Sequence, residues 1–272
     1  MIPLRLSFGQ WSPVIRRLEG ELGKGAVALT FDDGPEPSST PALIAALKAA
    51  GAKGSFFLCG VRAERHPELV QALVAEGHDI YAHGWDHRRY ADGEAEDATA
   101  AMARTEALLQ RHRPTPGTYL LRLPYNAGLR SPAMHRALRQ FHPDAQFAWW
   151  SHAVADYSIA AEERPEAEIR QACSDAVARV AARPDLEGGI LLLHDAAITE
   201  PLGPAALTTR ILLPELLQRL KQRGLRGIAL PPRTTATALA RFAFRSPEPY
   251  TVRPEFTARP RASTPSAAAE MA

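Results

Sequence analysis

Cysteine is almost missing from this 272-residue chain, which carries only Cys59 and Cys173. Two cysteines cannot build a disulfide framework, and neither has a second cysteine at metal-ligand spacing, so a stapled scaffold and a cysteine-rich metal site are excluded. Cys59 closes the apolar run SFFLC and reads as a core residue rather than a reactive thiol. Charge imbalance is lacking too. The 32 Lys and Arg against 30 Asp and Glu leave a net charge of +2, which provides no broad basic field for nucleic acid. Arg greatly outnumbers Lys, and Ala and Pro are abundant, a bias that reads as genome composition. No apolar run approaches the length of a membrane span. The opening MIPLRLSFGQWSPVIRRLEG lacks the continuous apolar core of a signal peptide, so a cytoplasmic protein is expected. Leu4, Leu6, Phe8 and Trp11 are expected to pack on the parent domain, with contact to a membrane surface as the alternative. No GxGxxG or GxxxxGK loop follows a strand-like run, which counts against nucleotide binding.

What is present is alternation. Strand-like runs stand at 26–31 (AVALTF), 55–59 (SFFLC), 79–83 (DIYAH), 118–122 (TYLLR), 146–150 (QFAWW), 189–194 (GILLLH) and 226–230 (RGIAL). Helical patterns lie between them, for example at 40–51, 67–77, 99–112 and 212–224. Several begin with Ser, Thr or Pro and end with Gly, the usual start and stop signals. Strand–helix alternation repeated about seven times implies parallel strands joined by crossover helices. The choices are an open doubly wound sheet or a closed, TIM-like barrel in a single α/β domain, and the missing nucleotide loop counts against the usual open-sheet folds. Residues 1–25 read as an N-terminal extension packing on the barrel, 26–235 as the barrel, and 236–272 as a Pro-, Arg- and Ala-rich tail whose end is expected to be disordered.

In such barrels chemistry gathers at the C-terminal ends of the strands. The first strand ends in the adjacent carboxylates Asp32 and Asp33, within TFDDGP. The third ends in HGWDH, with His83 and His87, and the fourth in RLPY, with Arg122. The fifth leads into WWSHAVADY, with Asp156, and the sixth ends in LLLHD, with His194. Singly each is weak, because a lone His pair is more often incidental and a lone buried Arg is usually structural. Together at one end of one barrel they are hard to explain as structure alone. Two imidazoles and one carboxylate, here His83, His87 and Asp33, form a three-ligand set that leaves a position open, the arrangement of a catalytic zinc. A metal there would also offset the repulsion between Asp32 and Asp33.

The series TFDDGP, His-x-x-x-His, Arg-x-Pro-Tyr, Asp-aromatic and Leu-x-His resembles the NodB-homology polysaccharide deacetylases, carbohydrate esterase family 4, over roughly residues 26–232. The resemblance implies a distorted, TIM-like (β/α)7 barrel in a single α/β domain, and a metal-dependent hydrolase that removes an N-acetyl group from an amino sugar, oligosaccharide or glycoconjugate. It implies one divalent ion, zinc first, with cobalt, nickel or iron as alternatives, bound by Asp33, His83 and His87. Asp32 would be the general base, held ionised by Arg122. His194 would be the general acid, its proton secured by Asp156. The Tyr125 backbone N–H would help hold the oxyanion, and Leu193, Trp150 and Tyr157 would wall the acetyl pocket. A deformylase, an O-acetyl esterase or a catalytically silent carbohydrate-binding member is the alternative.

The chain departs from the family pattern around these motifs. Gly84 stands where Ser or Thr usually follows the first His, which puts the rigidity of that loop in question. Arg88 replaces a Pro, Asn126 replaces a Gly after Arg-x-Pro-Tyr, and Tyr157 replaces a Trp. Asn tolerates left-handed backbone and is a suitable substitute at 126. These changes surround the substrate rather than the metal. His66, His78, His112, His135 and His142 are assigned to surface or packing. His152 has a possible but less favoured reading as a substrate contact. Trp85 is either a hydrophobic wall or a stacking face.

Overall fold

The computed structural model describes residues 12–160, 165–195 and 208–233. These fall within one compact unit spanning Met1–Thr234. Leu4, Leu6, Phe8, Trp11 and the tail from 236 onward lie outside the described residues.

The central strand is β2 (Ala26–Asp32), buried along its whole length. Successive side chains of a strand point to opposite faces. Val27, Leu29 and Phe31 accordingly face one apolar cluster, shared with the surrounding helices, while Ala26 and Ala28 face a second. Parallel neighbours flank β2: β3 (Ser55–Leu58) on one side and β8 (Ile190–His194) on the other, with β9 (Arg226–Ile228) along its first half. The register pairs Asp32 with both Phe57 and His194, so the acidic end of β2 and the His end of β8 lie side by side. β4 (Asp79–Ala82) continues the sheet beyond β3, and β7 (His152–Ala153) continues it beyond β8. A second parallel sheet has the order β1 (Val14–Ile15), β6 (Ala145–Ala148), β5 (Tyr119–Leu121).

The helices supply the outer layer. They are α1 (Thr40–Ala49), α2 (Gly60–Arg65), α3 (Pro67–Ala75), α4 (Ala95–Leu109), α5 (Pro132–Phe141), α6 (Asp156–Ala160), α7 (Glu166–Ala181) and α8 (Thr208–Gln222). α8 buries Leu212, Leu213, Leu216, Leu217 and Leu220, a helical spacing that gives it one apolar face. The result is a distorted (β/α) barrel, as the family resemblance implies and as one of the two architectures that the strand–helix alternation allows. All seven expected strands form, and two more two-residue strands appear, β1 and β7. β1 begins just inside the segment read as an extension, and its residues Val14 and Ile15 pair with Phe147 and Ala148.

The distortion has a local cause between β4 and β5, which belong to different sheets. Side chains stitch this seam where ladder bonds are missing among the described residues. The Tyr119 hydroxyl accepts from the Ala82 N–H at 2.9 Å and donates to Glu106 Oε2 at 2.6 Å. Glu106, buried on α4, also receives both guanidinium nitrogens of Arg113 at 2.5 and 2.8 Å, and Arg113 donates to the Ile80 carbonyl at 2.8 Å. Removing the carboxylate strands a cation and a phenol away from water. Glu106→Ala is expected to cost about 3–5 kcal/mol, read as a lower midpoint in urea denaturation; a loss within about 0.5 kcal/mol, the range of ordinary surface substitutions, would show that the seam does not depend on it.

Candidate active site

Loops meet at the C-terminal ends of the strands, and in four of them the chain turns sharply. Asp33, His87, Tyr125, Asn126 and Ala155 all have positive φ, at 76°, 57°, 55°, 56° and 63°. Left-handed backbone is costly for residues with a Cβ, and such residues cluster at functional sites. At Asp33 this conformation breaks the strand alternation, so its carboxylate and that of Asp32 need not diverge.

Asp33 is 2% exposed, and neither carboxylate oxygen has a hydrogen-bond donor. His87 Nε2 stands 3.1 Å and His83 Nε2 3.4 Å from Asp33 Oδ1. One ligand atom from each of the three residues falls within 4.8 Å of the others, the only such triplet among the described residues. His83 Nδ1 lies 2.7 Å from the Arg122 carbonyl. That bond puts the proton on Nδ1 and leaves the Nε2 lone pair facing Asp33. Burial works to raise the Asp33 carboxyl, but His83 and His87, when they carry a proton toward it in place of a cation, outweigh burial and hold the group well below the usual carboxylate range. Two imidazole nitrogens converging on an ionised carboxylate with no donors of its own fit a divalent cation, and the N,N,O set suits zinc.

The His83–His87 loop is not helical. Gly84, at φ +76°, begins its turn, and the loop is tied down on several sides. The Gly84 carbonyl accepts from Thr105 Oγ1 at 2.7 Å and from the Gly60 N–H at 3.1 Å, and the Trp85 carbonyl accepts from the Val61 N–H at 2.9 Å. The loop therefore has its anchors without the Ser or Thr hydroxyl. Trp85 is covered on both sides. A Cβ added at Gly60 would overlap its ring, and Arg104 lies over it. Of the two readings for Trp85, the wall fits and the open stacking face does not.

Arg122 is 2% exposed and occupies the barrel interior. It gives Nη1 to Asp32 Oδ1 at 2.7 Å and to Thr30 Oγ1 at 2.9 Å, and Nε to the Ala148 carbonyl at 2.9 Å. Asp32 Oδ2 is left pointing toward His83 Nε2, 3.9 Å away. Across the site, Asp156 Oδ1 lies 2.8 Å from His194 Nδ1, and its Oδ2 accepts the His194 N–H at 2.6 Å. Burial works to lower the His194 pKa, but Asp156 outweighs it and raises it to about 9. The Tyr157 ring meets His194 edge-on at 5.4 Å, and Trp150 lies 5.5 Å from the Arg122 guanidinium. The Tyr125 N–H has no acceptor among the described residues, whereas the next two amides close a tight turn onto Leu123 and Pro124.

Leu193 needs correcting. It is fully buried and belongs to the helix-side cluster with Phe31, its register partner, so it does not wall this pocket. Alternation along β8 gives that face to Leu192, two residues before His194. His152 is not brought to the site either: its Nε2 lies 3.2 Å from Asp185, before β8 begins. His78, His135 and His142 are packing residues bonded to backbone at 3.2, 3.0 and 3.0 Å.

The structure adds Thr30, Thr209 and Asp195. Thr209 Oγ1 donates to the His194 carbonyl at 2.6 Å. Asp195 is 2% exposed and braces the Asp-Asp-Gly turn. Its N–H donates to the Asp32 carbonyl at 2.8 Å, Thr40 Oγ1 donates to its Oδ2 at 2.7 Å, and Ser39 Oγ is 2.9 Å from its Oδ1. Burial pushes its carboxyl up to about 7, against the pull of Thr40 and Ser39. A Cβ at Gly34 would come within 2.1 Å of Asp195 Oδ2.

Comparison with known proteins agrees with this arrangement. Residues 19–142 match the family model described as polysaccharide deacetylase. A chitooligosaccharide deacetylase of Rhizobium leguminosarum bv. trifolii is 30% identical over 212 residues, covering 75% of this chain and 90% of the relative. A peptidoglycan-N-acetylglucosamine deacetylase of Bacillus cereus is 35% identical over 109 residues, 38% of this chain and 40% of that relative's length. The crystal structure of the Bc1960 peptidoglycan N-acetylglucosamine deacetylase superposes with a TM-score of 0.61 at 26% identity, over 79% of this chain and 90% of that one. The barrel is thus one shared with proteins named as carbohydrate deacetylases. The chain belongs to the polysaccharide deacetylase family.

The His194–Asp156 pair makes a pH prediction. The folded-state pKa of about 9 lies above the ordinary 6.5, so the stabilisation is complete below pH 6.5 and lost as pH rises through 9. In metal-free protein, Asp156→Asn is expected to lower the NMR titration midpoint of His194 by at least about one unit, the scale of a carboxylate partner's effect. A midpoint unchanged in the variant would show that Asp156 is not the cause.

Proposed function

We propose that this chain is a metal-dependent hydrolase that removes the N-acetyl group from an N-acetylglucosamine-type sugar, releasing acetate and a free amine. The observation that carries the reading is the convergence of His83 and His87 on the donor-free carboxylate of Asp33, with Asp32 beside them under its own arginine clamp. The named relatives support the substrate class, since their names refer to chitooligosaccharide and to peptidoglycan N-acetylglucosamine.

A divalent cation held by Asp33, His83 and His87 supplies Lewis acidity toward the acyl carbonyl and the attacking water. The chain's own groups do the rest. Asp32, clamped by Arg122 through Oδ1, takes a proton from water through Oδ2, the oxygen that Arg122 leaves free. Water's oxygen bonds to the acyl carbon, and the Tyr125 N–H helps hold the charge that develops on the carbonyl oxygen. The C–N bond then breaks, and His194 gives its proton to the leaving nitrogen through Nε2, because Nδ1 is engaged by Asp156. Base and acid are thus set apart by their partners, one beside a guanidinium and one beside a carboxylate.

Two outcomes test this. Acetate release from an N-acetylated chitooligosaccharide is expected to stop on chelation and return with zinc. Asp32→Asn is expected to bind zinc at the same stoichiometry by atomic absorption while kcat falls by about 10²–10⁴-fold. Activity that persists in metal-stripped protein would falsify the metal's role, and loss of zinc from the variant would show that Asp32 is itself a ligand.

A further inference from the structure

The loop that carries His87 continues into two arginines of different status. Arg88 is committed: Nη1 lies 3.0 Å from Glu94 Oε1, Nη2 lies 3.1 Å from Asp97 Oδ2, and its N–H is 3.3 Å from Asp86 Oδ1. Arg89 has no carboxylate partner among the described residues and is exposed. It is nonetheless held in place, 4.2 Å above the Tyr125 ring. That ring, 42% exposed, meets the His87 imidazole edge-on at 4.7 Å. A free surface arginine sweeps through many rotamers, whereas stacking on an aromatic face fixes the guanidinium plane and leaves its N–H edge available. Here that edge lies two ring contacts from a metal ligand.

A second cation stands at the same end of the barrel. Arg16 follows β1 and lies 5.2 Å from the Trp149 ring, which stacks at 4.6 Å on Trp150, the neighbour of Arg122. Arg16 likewise has no carboxylate partner among the described residues, and Arg130, after β5, is its like-charged neighbour. The chain as a whole is nearly neutral, and the carboxylates Glu94 and Asp97 near Arg89 are taken by Arg88. A neutral chitin-like chain would leave these cations without a partner.

We propose that Arg89, seated on Tyr125 beside His87, binds a phosphate carried by the acylated amino-sugar substrate. The inference rests on the deacetylase reading for the position of the sugar. The phosphate's source, a sugar 1-phosphate or a nucleoside diphosphate sugar, shares one chemistry: a tetrahedral anion that a guanidinium fork engages with two hydrogen bonds.

The experiment compares acetate release by zinc-loaded protein and Arg89→Gln on three substrates: neutral methyl N-acetylglucosaminide, N-acetylglucosamine 1-phosphate and uridine diphosphate N-acetylglucosamine. Wild type is expected to prefer a phosphorylated substrate, and the variant to lower the phosphorylated-to-neutral ratio of kcat/KM by about tenfold or more, the effect of one charge-assisted hydrogen bond. The arm with the larger ratio identifies the source. An unchanged ratio overturns the proposal. If wild type releases acetate from none of the three, the chitooligosaccharide assay decides the deacetylase reading, and calorimetric binding of N-acetylglucosamine 1-phosphate decides the Arg89 question by itself. Weaker binding to the variant by about tenfold supports the anion site, and equal binding overturns it.

Discussion

The polar end of this barrel depends on one buried cation. Arg122 reaches from the end of β5 across the interior to Asp32 and Thr30 on β2 and to the Ala148 carbonyl on β6, while its own carbonyl orients His83 after β4. Taking a guanidinium and a carboxylate out of water is unfavourable unless their geometry and remaining hydrogen bonds are good. Here the bonds from Nη1 and Nε, which leave Nη2 without a hydrogen-bond partner among the described residues, also tie together four strands that no single ladder joins. The orientation of the Asp32 carboxylate and the tautomer of His83 are therefore not independent properties. Both follow from where one guanidinium and its peptide group are placed.

Around this centre, backbone strain is spent on aiming side chains. Asp33, His87 and Tyr125 hold left-handed conformations that glycine would adopt more easily. Glycine in their place would provide no carboxylate, no imidazole and no ring. The neighbouring positions show the complementary choice. Gly84 has positive φ and carries no functional group, and its peptide is fixed by Thr105 and Gly60. The departures from the family pattern follow this division. They fall at Gly84, Arg88, Asn126 and Tyr157, beside the residues that meet at Asp33, and leave Asp33, His83 and His87 themselves in place.

Much of this was readable in the sequence because apolar runs report buried strands and polar residues at their ends report the site. The seven long runs all formed strands. β1 and β7 escaped because two residues carry no period, and each is placed by its neighbour rather than by its own pattern. The error at Leu193 has a simple origin. In a run of three leucines composition cannot say which faces inward; only parity counted back from His194 can, and it selects Leu192. Asp195 was visible next to His194, but nothing in the sequence linked it to Ser39 and Thr40, more than 150 residues away. Thr209 had no signal at all, because its role is defined by the His194 carbonyl it bonds.

The contact between Gly34 and Asp195 has a consequence for how the site can change. The carboxylate of Asp195 occupies the space where any side chain at position 34 would begin. Neighbours that share one volume do not respond independently to substitution. An alanine at 34 is blocked while Asp195 stays, and a smaller residue at 195 opens room at 34 but releases Ser39 and Thr40. The turn that presents the two aspartates and the turn that presents His194 are thus genetically coupled, so a path of single changes through either one runs through the residue held by the other.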